Sequence, residues 1–334
     1  MIKATFPDKK NNRTALLIRL AGTLVAIALL LYLLSQQGWR EIGAAIRLIP
    51  AWRFALALGL ILVSRLAVSG RWYVLLRSAG VHISLAQSVR ITFAGLFASN
   101  FLPTTIGGDV IRLAGAVQLN FDAMVSAASL VVDRLIGMLG MAMLLPFGLP
   151  QFMQNNGANA SHLADGWRGL TINAALLPLG KWGQKILAKG RQLSRQLLRA
   201  LSVWVNRPGA MLQSLLFSWM HMLCVFGAIW LFLGGMGEAV PFMLVGGLYS
   251  LVYFVTLLPL SINGYGIQEV SMTFVFSVVA GASTHSSLAA ALLFRTVMML
   301  GSLPGALFVP ALLPGTRDPT DSIAESNAGV RPQQ

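Results

Sequence analysis

Residues 210–234 read AMLQSLLFSWMHMLCVFGAIWLFLG and contain no Lys, Arg, Asp or Glu. A helix needs about 20 mostly apolar residues to cross the roughly 30 Å hydrocarbon core of a bilayer, whereas a β-strand needs only about 10. The length of this stretch therefore indicates a membrane-spanning helix, and it sets the class of the whole chain.

Similar apolar stretches recur along the chain, of which 56% is hydrophobic and only 11% is charged. Ordinary globular domains carry about 25% charged residues. We predict an all-α, polytopic membrane helix bundle with about eight transmembrane helices. The other seven apolar stretches are 15–34, 54–69, 85–102, 123–149, 241–260, 267–282 and 287–313. Two shorter segments, 107–120 and 170–179, leave ten crossings as an alternative.

The predicted organisation is a cytoplasmic basic N-terminus (1–14), a transmembrane domain (15–313) and a polar, disordered C-terminal tail (314–334). The first apolar run is too long for the core of a signal peptide, so we expect it to be retained. The net charge of +14 resides largely in segments beside the apolar runs. That pattern is typical of cytoplasmic loops and not of nucleic-acid binding.

The segment 181–207 carries seven Lys or Arg residues and no acidic residue. Its apolar residues recur at helical spacing. They are Trp182, Ile186, Leu193, Leu197, Leu201 and Trp204. This pattern predicts an amphipathic helix on the cytoplasmic membrane surface, bound to anionic lipids. A basic loop that only sets topology is the alternative. Even numbers of crossings place both termini and this segment in the cytoplasm.

Two segments of the chain resemble each other. FLPTTIGGDVI at 101–111 and LLPLSINGYGI at 257–267 share five identities. Arg134 also precedes Leu139-Gly140 by the spacing at which Arg295 precedes Leu300-Gly301. Because crossing parity reverses the direction of the second copy, these matches predict two inverted repeats.

Proline and glycine interrupt both copies at matching places. The predicted helix-break residues are Pro103, Gly107, Gly108, Pro259, Gly264 and Gly266. In transporters, broken or re-entrant helices in matching positions of two repeats indicate a substrate site near the bilayer midplane. The alternative is an ordinary turn at the membrane surface, with Asp109 capping the helix that follows.

Six charged residues lie in or beside apolar segments, where an unpaired charge costs roughly 2.5 to 3.5 kcal/mol. They are Asp109, Arg112, Asp133, Arg134, Glu269 and Arg295. Helical spacing lets Asp109 pair with Arg112, whereas the adjacent Asp133 and Arg134 need partners elsewhere.

A guanidinium group matches the geometry of phosphate, so these six residues are candidates for binding a phosphate-bearing lipid headgroup. We expect Arg134 and Arg295 to converge on one polar cavity with Asp109 and Glu269. Because the two acids would repel a bare anion, they favour a substrate with a cationic group or a coupling proton. Purely structural salt bridges are the alternative. Arg65 and Arg90 are expected to reach the membrane interface.

The sequence offers little for metal or cofactor chemistry. His221 and His285 are isolated, and Cys224 is the single cysteine. The largest polar loop, 151–169, has no pair of carboxylates for acid and base catalysis. We therefore expect no metal, no cofactor and no enzymatic activity.

The segments FLPTTIGGDVIR (101–112), VDRLIG (132–137) and SINGYGIQE (261–269) resemble the flippase-like transmembrane domain of lysylphosphatidylglycerol synthases. Gln268 stands where that family usually has Arg, so the headgroup selectivity is expected to differ. The residues that follow the membrane part, 314–334, are not expected to supply the soluble aminoacyl transferase domain of the fused synthases.

The resemblance implies a multi-pass protein of the bacterial inner membrane that moves a polar lipid or lipid-linked intermediate between leaflets. A membrane-embedded transferase, or a scaffold that recruits an enzyme of envelope biosynthesis, are the alternatives.

Overall fold

The computed structural model describes residues 47, 49–100, 107–154, 203–204, 206–257 and 266–308, and all regular structure in these ranges is helical. The helices are α1 (Ala51–Ser78), α2 (Leu85–Ser99), α3 (Gly107–Gln118), α4 (Ala123–Ala142), α5 (Pro208–Gly235), α6 (Phe242–Thr256), α7 (Ile267–Phe274) and α8 (Thr284–Leu300). A π-helical turn, Val275–Val279, extends α7, and a 3-10 turn, Leu303–Leu307, follows α8. Residues 145–154 are largely helical as well.

Several sequence predictions fall outside the described residues. These are the first crossing at 15–34, the tail at 314–334, most of the basic segment at 181–207, and the helix-break residues Pro103, Pro259 and Gly264.

Four of the described helices are long and apolar enough to cross a membrane: Ala51–Ser78, Ala123–Ala142, Pro208–Gly235 and Thr284–Leu307. Helices α2 and α6 have 15 residues each, and a helix of that length is about 22 Å long, short of the hydrocarbon core. The stretches at 85–102 and 241–260 therefore form shorter helices than hydropathy predicted. The described part of the chain is all-helical, and its four candidate spans identify a membrane protein.

The helices form two series, α1–α4 and α5–α8, and the first two helices of each series match in length. Helices α1 and α5 both have 28 residues, and α2 and α6 both have 15. Six residues connect the helices within each pair, 79–84 in the first and 236–241 in the second. The links between α2 and α3 and between α6 and α7 differ, with seven and ten residues. Equivalent helix positions are therefore offset by 157 residues before this link, by 160 in α3 and α7, and by 161 in α4 and α8. The match of Ile111 with Ile267 does not correspond to equal helix positions.

The two longest helices, α1 and α5, pack antiparallel along their lengths. Arg53, near the start of α1, donates to the carbonyl oxygen of Leu231, near the end of α5, at 3.3 Å. At the crossing, Ser64 Oγ and His221 Nδ1 are 2.6 Å apart, and each is the fourteenth residue of its helix. The hydrogen bond between them thus joins the midpoints of the two helices.

Close contacts on either side of this hydrogen bond are also equivalent. A Cβ atom at Gly70 would lie 2.7 Å from the ring of Phe217, and one at Gly227 would lie 3.1 Å from Leu60. Gly70 and Gly227 occupy the same position in α1 and α5. Glycine at these positions lets the helices approach closely.

Helices α2 and α3 pack against each other as a hairpin. A Cβ atom at Gly108 would lie 2.7 Å from the carbonyl oxygen of Gly95, so glycine is required there for backbone contact. Gly107 opens α3, whereas Gly266 precedes α7 with a φ of 78°, a conformation that favours glycine. The described helix-break glycines therefore serve packing in one hairpin and the turn in the other.

One prediction about a surface residue was wrong. Arg65 lies in the middle of α1, is 8% exposed, and donates to the carbonyl oxygen of Met298 at 3.2 Å. Trp204, at the end of the basic segment, is 1% exposed, and its Nε1 donates to the carbonyl oxygen of Leu75. The segment therefore ends packed against the helix bundle, because α1 extends far enough to cover it.

Candidate functional site

The most buried carboxylate of the site belongs to Asp133 on α4, which is 2% exposed. It accepts hydrogen bonds from Arg71 Nε at 2.6 Å and from Arg112 Nη1 at 3.1 Å. Arg71 also donates from Nη1 to Ser218 Oγ on α5 at 2.7 Å. Asp133 thus joins α1, α3 and α4, as expected for a buried carboxylate that needs partners.

Sequence reasoning missed Arg71. It lies beyond the apolar stretch read at 54–69, so it looked like a flanking charge. The structure shows that α1 continues to Ser78, so Arg71 lies inside a helix long enough to span the membrane.

Asp109, on α3 like Arg112, extends the network to Arg134. Its carboxylate accepts from Arg112 Nη1 at 3.2 Å and also from Arg134 Nε. The predicted pairing of Asp109 with Arg112 is confirmed, and so is the expectation that Asp133 and Arg134 find separate partners. The hydrogen bonds run without interruption from Ser218 to Arg134. The residues before Gly107, which a capping Asp109 would contact, lie outside the described residues, so the alternative of a helix cap stays a prediction.

A second ion pair repeats this geometry. Arg295 Nε donates to Glu269 Oε1 at 2.5 Å, and Glu269 Oε2 accepts from the backbone N–H of Gly266 at 2.8 Å. Asp109 and Glu269 are each the third residue of a short helix. Arg134 and Arg295 are each the twelfth residue of the next helix. Both halves therefore hold one arginine against one carboxylate in the same way.

A groove of about 470 Å³ opens beside the first ion pair. Asp109 and Arg134 are its charged lining residues, and the other lining residues are apolar. The Arg134 side chain is 32% exposed and that of Asp109 is 16% exposed. Because Glu269 and Arg295 do not line this groove, the prediction of one cavity for all four charged side chains is not met among the described residues.

Two tyrosines on α6 have charged residues of the site as neighbours. Tyr253 is within electrostatic range of Arg134 and Asp133, and Tyr249 is within range of Arg295 and Glu269. They are four residues apart and share one helix face. Sequence reasoning missed both, since tyrosine is common in apolar helices.

Arg112 is buried but not fully satisfied. It is 6% exposed, and its Nε and Nη2 atoms have no hydrogen-bond partner among the described residues. Its guanidinium carbon lies 4.5 Å from the centre of the Trp72 ring, a cation–π contact. The Arg112 guanidinium group is therefore stabilised as a cation, while two of its buried donor atoms lack a hydrogen-bond partner among the described residues.

Within the described ranges, no three His, Cys, Asp or Glu side chains are placed to hold a metal ion. His221 is hydrogen-bonded to Ser64, and Arg71 and Asp133 are its charged neighbours together with Arg65. The arginines and carboxylates of the site can bind groups of opposite charge.

Comparison with curated proteins finds no match for this chain. Comparison with protein families finds one over residues 19–305, in the family described as "Lysylphosphatidylglycerol synthase TM region". The matched region includes all the helices of the site, with its arginines on α1, α3, α4 and α8 and its acids on α3, α4 and α7. On this match over most of its length, the chain belongs to the lysylphosphatidylglycerol synthase transmembrane family.

Proposed function

We propose that this protein moves a lipid with a phosphate-bearing headgroup, or a lipid-linked intermediate, between the leaflets of the bacterial inner membrane. The observation that carries the proposal is the groove beside Asp109 and Arg134. Its apolar walls suit an acyl chain, and its single arginine–carboxylate pair suits a polar headgroup. A site for a water-soluble substrate would be expected to have more polar groups.

The charged residues support the same proposal. Charges inside a bilayer are costly and usually mark a substrate or ion pathway. The phosphate is expected to bind the guanidinium groups, and Asp109 favours a headgroup that also carries a cationic group. This protein is proposed to act without chemical transformation of the lipid and without a metal or cofactor. The basic segment 181–207 is proposed to bind anionic lipids on the cytoplasmic surface.

The fold behind this function is proposed to be two inverted repeats, α1–α4 and α5–α8, within a domain of about eight crossings. The equal lengths of α1 and α5, and of α2 and α6, support this arrangement. The antiparallel contact of α1 with α5 supports the inversion, because equivalent helices that run in opposite directions require a two-fold axis across them. The hairpins α2–α3 and α6–α7 are proposed to be re-entrant, which would place Asp109 and Glu269 within the membrane.

The topology can be tested at two equivalent exposed residues. His82 and Ala239 occupy the same place in the two six-residue connectors. In a chain whose Cys224 is replaced by alanine, we expect Ala239→Cys to react with a membrane-impermeant maleimide in intact cells. His82→Cys should react only after permeabilisation. Labelling of both sites from one side would exclude the inverted arrangement.

Reconstitution into liposomes tests the function itself. Labelled anionic, zwitterionic and aminoacylated phospholipids would be added separately, and the fraction accessible to a bilayer-impermeant quencher would be followed with time. We expect exchange of at least one lipid without added nucleotide. Covalent transfer of a group to or from the lipid would instead indicate a transferase. The absence of both activities would favour a scaffold that recruits an envelope enzyme.

A further inference from the structure

The two halves of the protein provide an internal comparison of the charged cluster. Both halves have an arginine–carboxylate pair, Asp109 with Arg134 and Glu269 with Arg295. Three further charged residues, Arg71, Arg112 and Asp133, occur only in the first half. At the equivalent helix positions the second half has Ala228, Met272 and Phe294.

These three counterparts are fully buried apolar residues within one hydrophobic core. The three equivalent helix positions can therefore hold apolar core residues in one half and a charged triad in the other. Replacing a buried ionic triad by apolar residues of similar volume is often neutral or even stabilising. Stability of the fold therefore does not by itself account for Arg71, Arg112 and Asp133.

The charges of the two halves also differ in their balance. The first-half cluster holds three arginines, at positions 71, 112 and 134, against two aspartates. The second half has one arginine against one glutamate. Two buried donor atoms of Arg112 lack a hydrogen-bond partner among the described residues and belong to the cluster with the excess positive charge, so that cluster is suited to one additional anion.

Arg112 also changes how Asp109 acts on the groove. Its Nη1 shares the Asp109 carboxylate with Arg134, so the negative charge of Asp109 is partly neutralised from behind the groove. An anion that approaches Arg134 from the groove is then repelled less than it would be by Asp109 alone. The acyl chains would remain against the apolar groove residues Val110, Leu113 and Val131.

We infer that the phosphate of the transported lipid binds at equilibrium in the first half alone, at the Arg112–Asp109–Arg134 end of the cluster. The second half, with its neutral Glu269–Arg295 pair, takes part in the movement of the lipid between leaflets but does not hold the phosphate. This inference rests on the proposed function for its lipid ligand. It assigns Arg112 the role of determining affinity for an anionic headgroup.

Arg112→Met tests the inference, because methionine is the residue at the equivalent position of the second half. After this change Asp133 is still paired with Arg71 and Asp109 with Arg134, so no carboxylate is left alone. We expect the thermal midpoint in detergent to stay the same or rise. Binding of a short-chain fluorescent phosphatidylglycerol to the purified full chain should weaken at least about tenfold, because Asp109 then loses the neutralising contact of Arg112 and repels the phosphate more strongly.

Two single variants and one triple variant make the comparison specific. Arg90→Gln removes an exposed arginine outside the cluster and should leave the affinity unchanged. Arg295→Gln should change the affinity less than twofold, because the phosphate does not bind in the second half. A combined Arg71→Ala, Arg112→Met and Asp133→Phe variant transfers the apolar trio to the first half. It should fold and lose phosphatidylglycerol binding, while binding of uncharged diacylglycerol is retained.

The inference is overturned if Arg112→Met binds phosphatidylglycerol normally, if it lowers stability, or if Arg295→Gln weakens binding equally. These outcomes are separate from those of leaflet exchange. A wild-type protein that binds through Arg112 but exchanges no lipid would contradict the proposed function and leave the asymmetric site in place. If the wild-type protein exchanges lipid and Arg112→Met binds phosphatidylglycerol normally, the asymmetric site is rejected and the proposed function stands.

Discussion

Replacing Arg134 with glutamine is expected to reduce leaflet exchange per folded molecule by roughly 100-fold, the loss of two charge-assisted hydrogen bonds to a phosphate. The amount of folded protein should change little. Arg134 is one-third exposed in the groove, and Asp109 retains its hydrogen bond from Arg112 when Arg134 is lost. The measurement is the exchange rate in liposomes divided by the amount of monodisperse protein incorporated.

Arg295→Gln is the matched variant at the equivalent position of the second half. It should also slow exchange, but it is expected to lower the yield of folded protein. Glu269 is only 4% exposed in its side chain, and removal of Arg295 leaves it with the Gly266 N–H as the hydrogen-bond donor assigned to it. Adding Glu269→Gln should restore the yield without restoring exchange.

These variants separate a role in transport from a purely structural salt bridge. Normal exchange per molecule from a reduced amount of Arg134→Gln protein would reject a role for Arg134 in substrate binding. Arg134→Lys is expected to be intermediate, since lysine keeps the charge but cannot donate two parallel hydrogen bonds.

Replacing Asp133 with alanine should have the largest effect on stability. It leaves Arg71 and Arg112, both less than 10% exposed, close together without the carboxylate that they share. Removing one partner of a buried ion pair typically costs about 3 to 5 kcal/mol, and here two cations lose the same partner. We expect most of the protein to be lost during detergent extraction, as measured by fluorescence-detected size exclusion.

Asp122→Ala is the control for this prediction because it lies on the same helix. Asp122 caps α4 by accepting from the backbone N–H of Val125 at 2.7 Å, and loss of such a cap costs about 1 kcal/mol. If Asp133→Ala were no less stable than Asp122→Ala, the Arg71–Asp133–Arg112 network would not be the buried cluster described above.

Local chemistry made part of the site predictable. Asp109 and Arg112 are three residues apart on one helix, so their contact follows from helical geometry. The cost of a charge in lipid indicated that Asp133 and Arg134 had to find partners, and both did. The identity of those partners was not predictable, because Arg71 and Asp133 are separated by 62 residues and meet only when α1 packs beside α4.

Hydropathy also misplaced the ends of helices. The apolar stretch at 85–102 was read as one crossing, whereas α2 ends at Ser99 and packs against α3 as a hairpin. A hydropathy average reports only whether residues prefer lipid or protein to water. It does not distinguish a helix that crosses from one that returns, because both have apolar surfaces.

From residues alone, the class of the protein and the positions of its charged groups followed, since the 25 residues at 210–234 have no charge and the bilayer sets the length of a spanning helix. Packing settled the rest. The antiparallel contact of α1 with α5, the division of the arginines between two ion pairs, and the apolar counterparts of Arg71, Arg112 and Asp133 all depend on contacts between distant helices. Such contacts are governed by side-chain volume and close approach at glycines, which have no period in the sequence that could be read in advance.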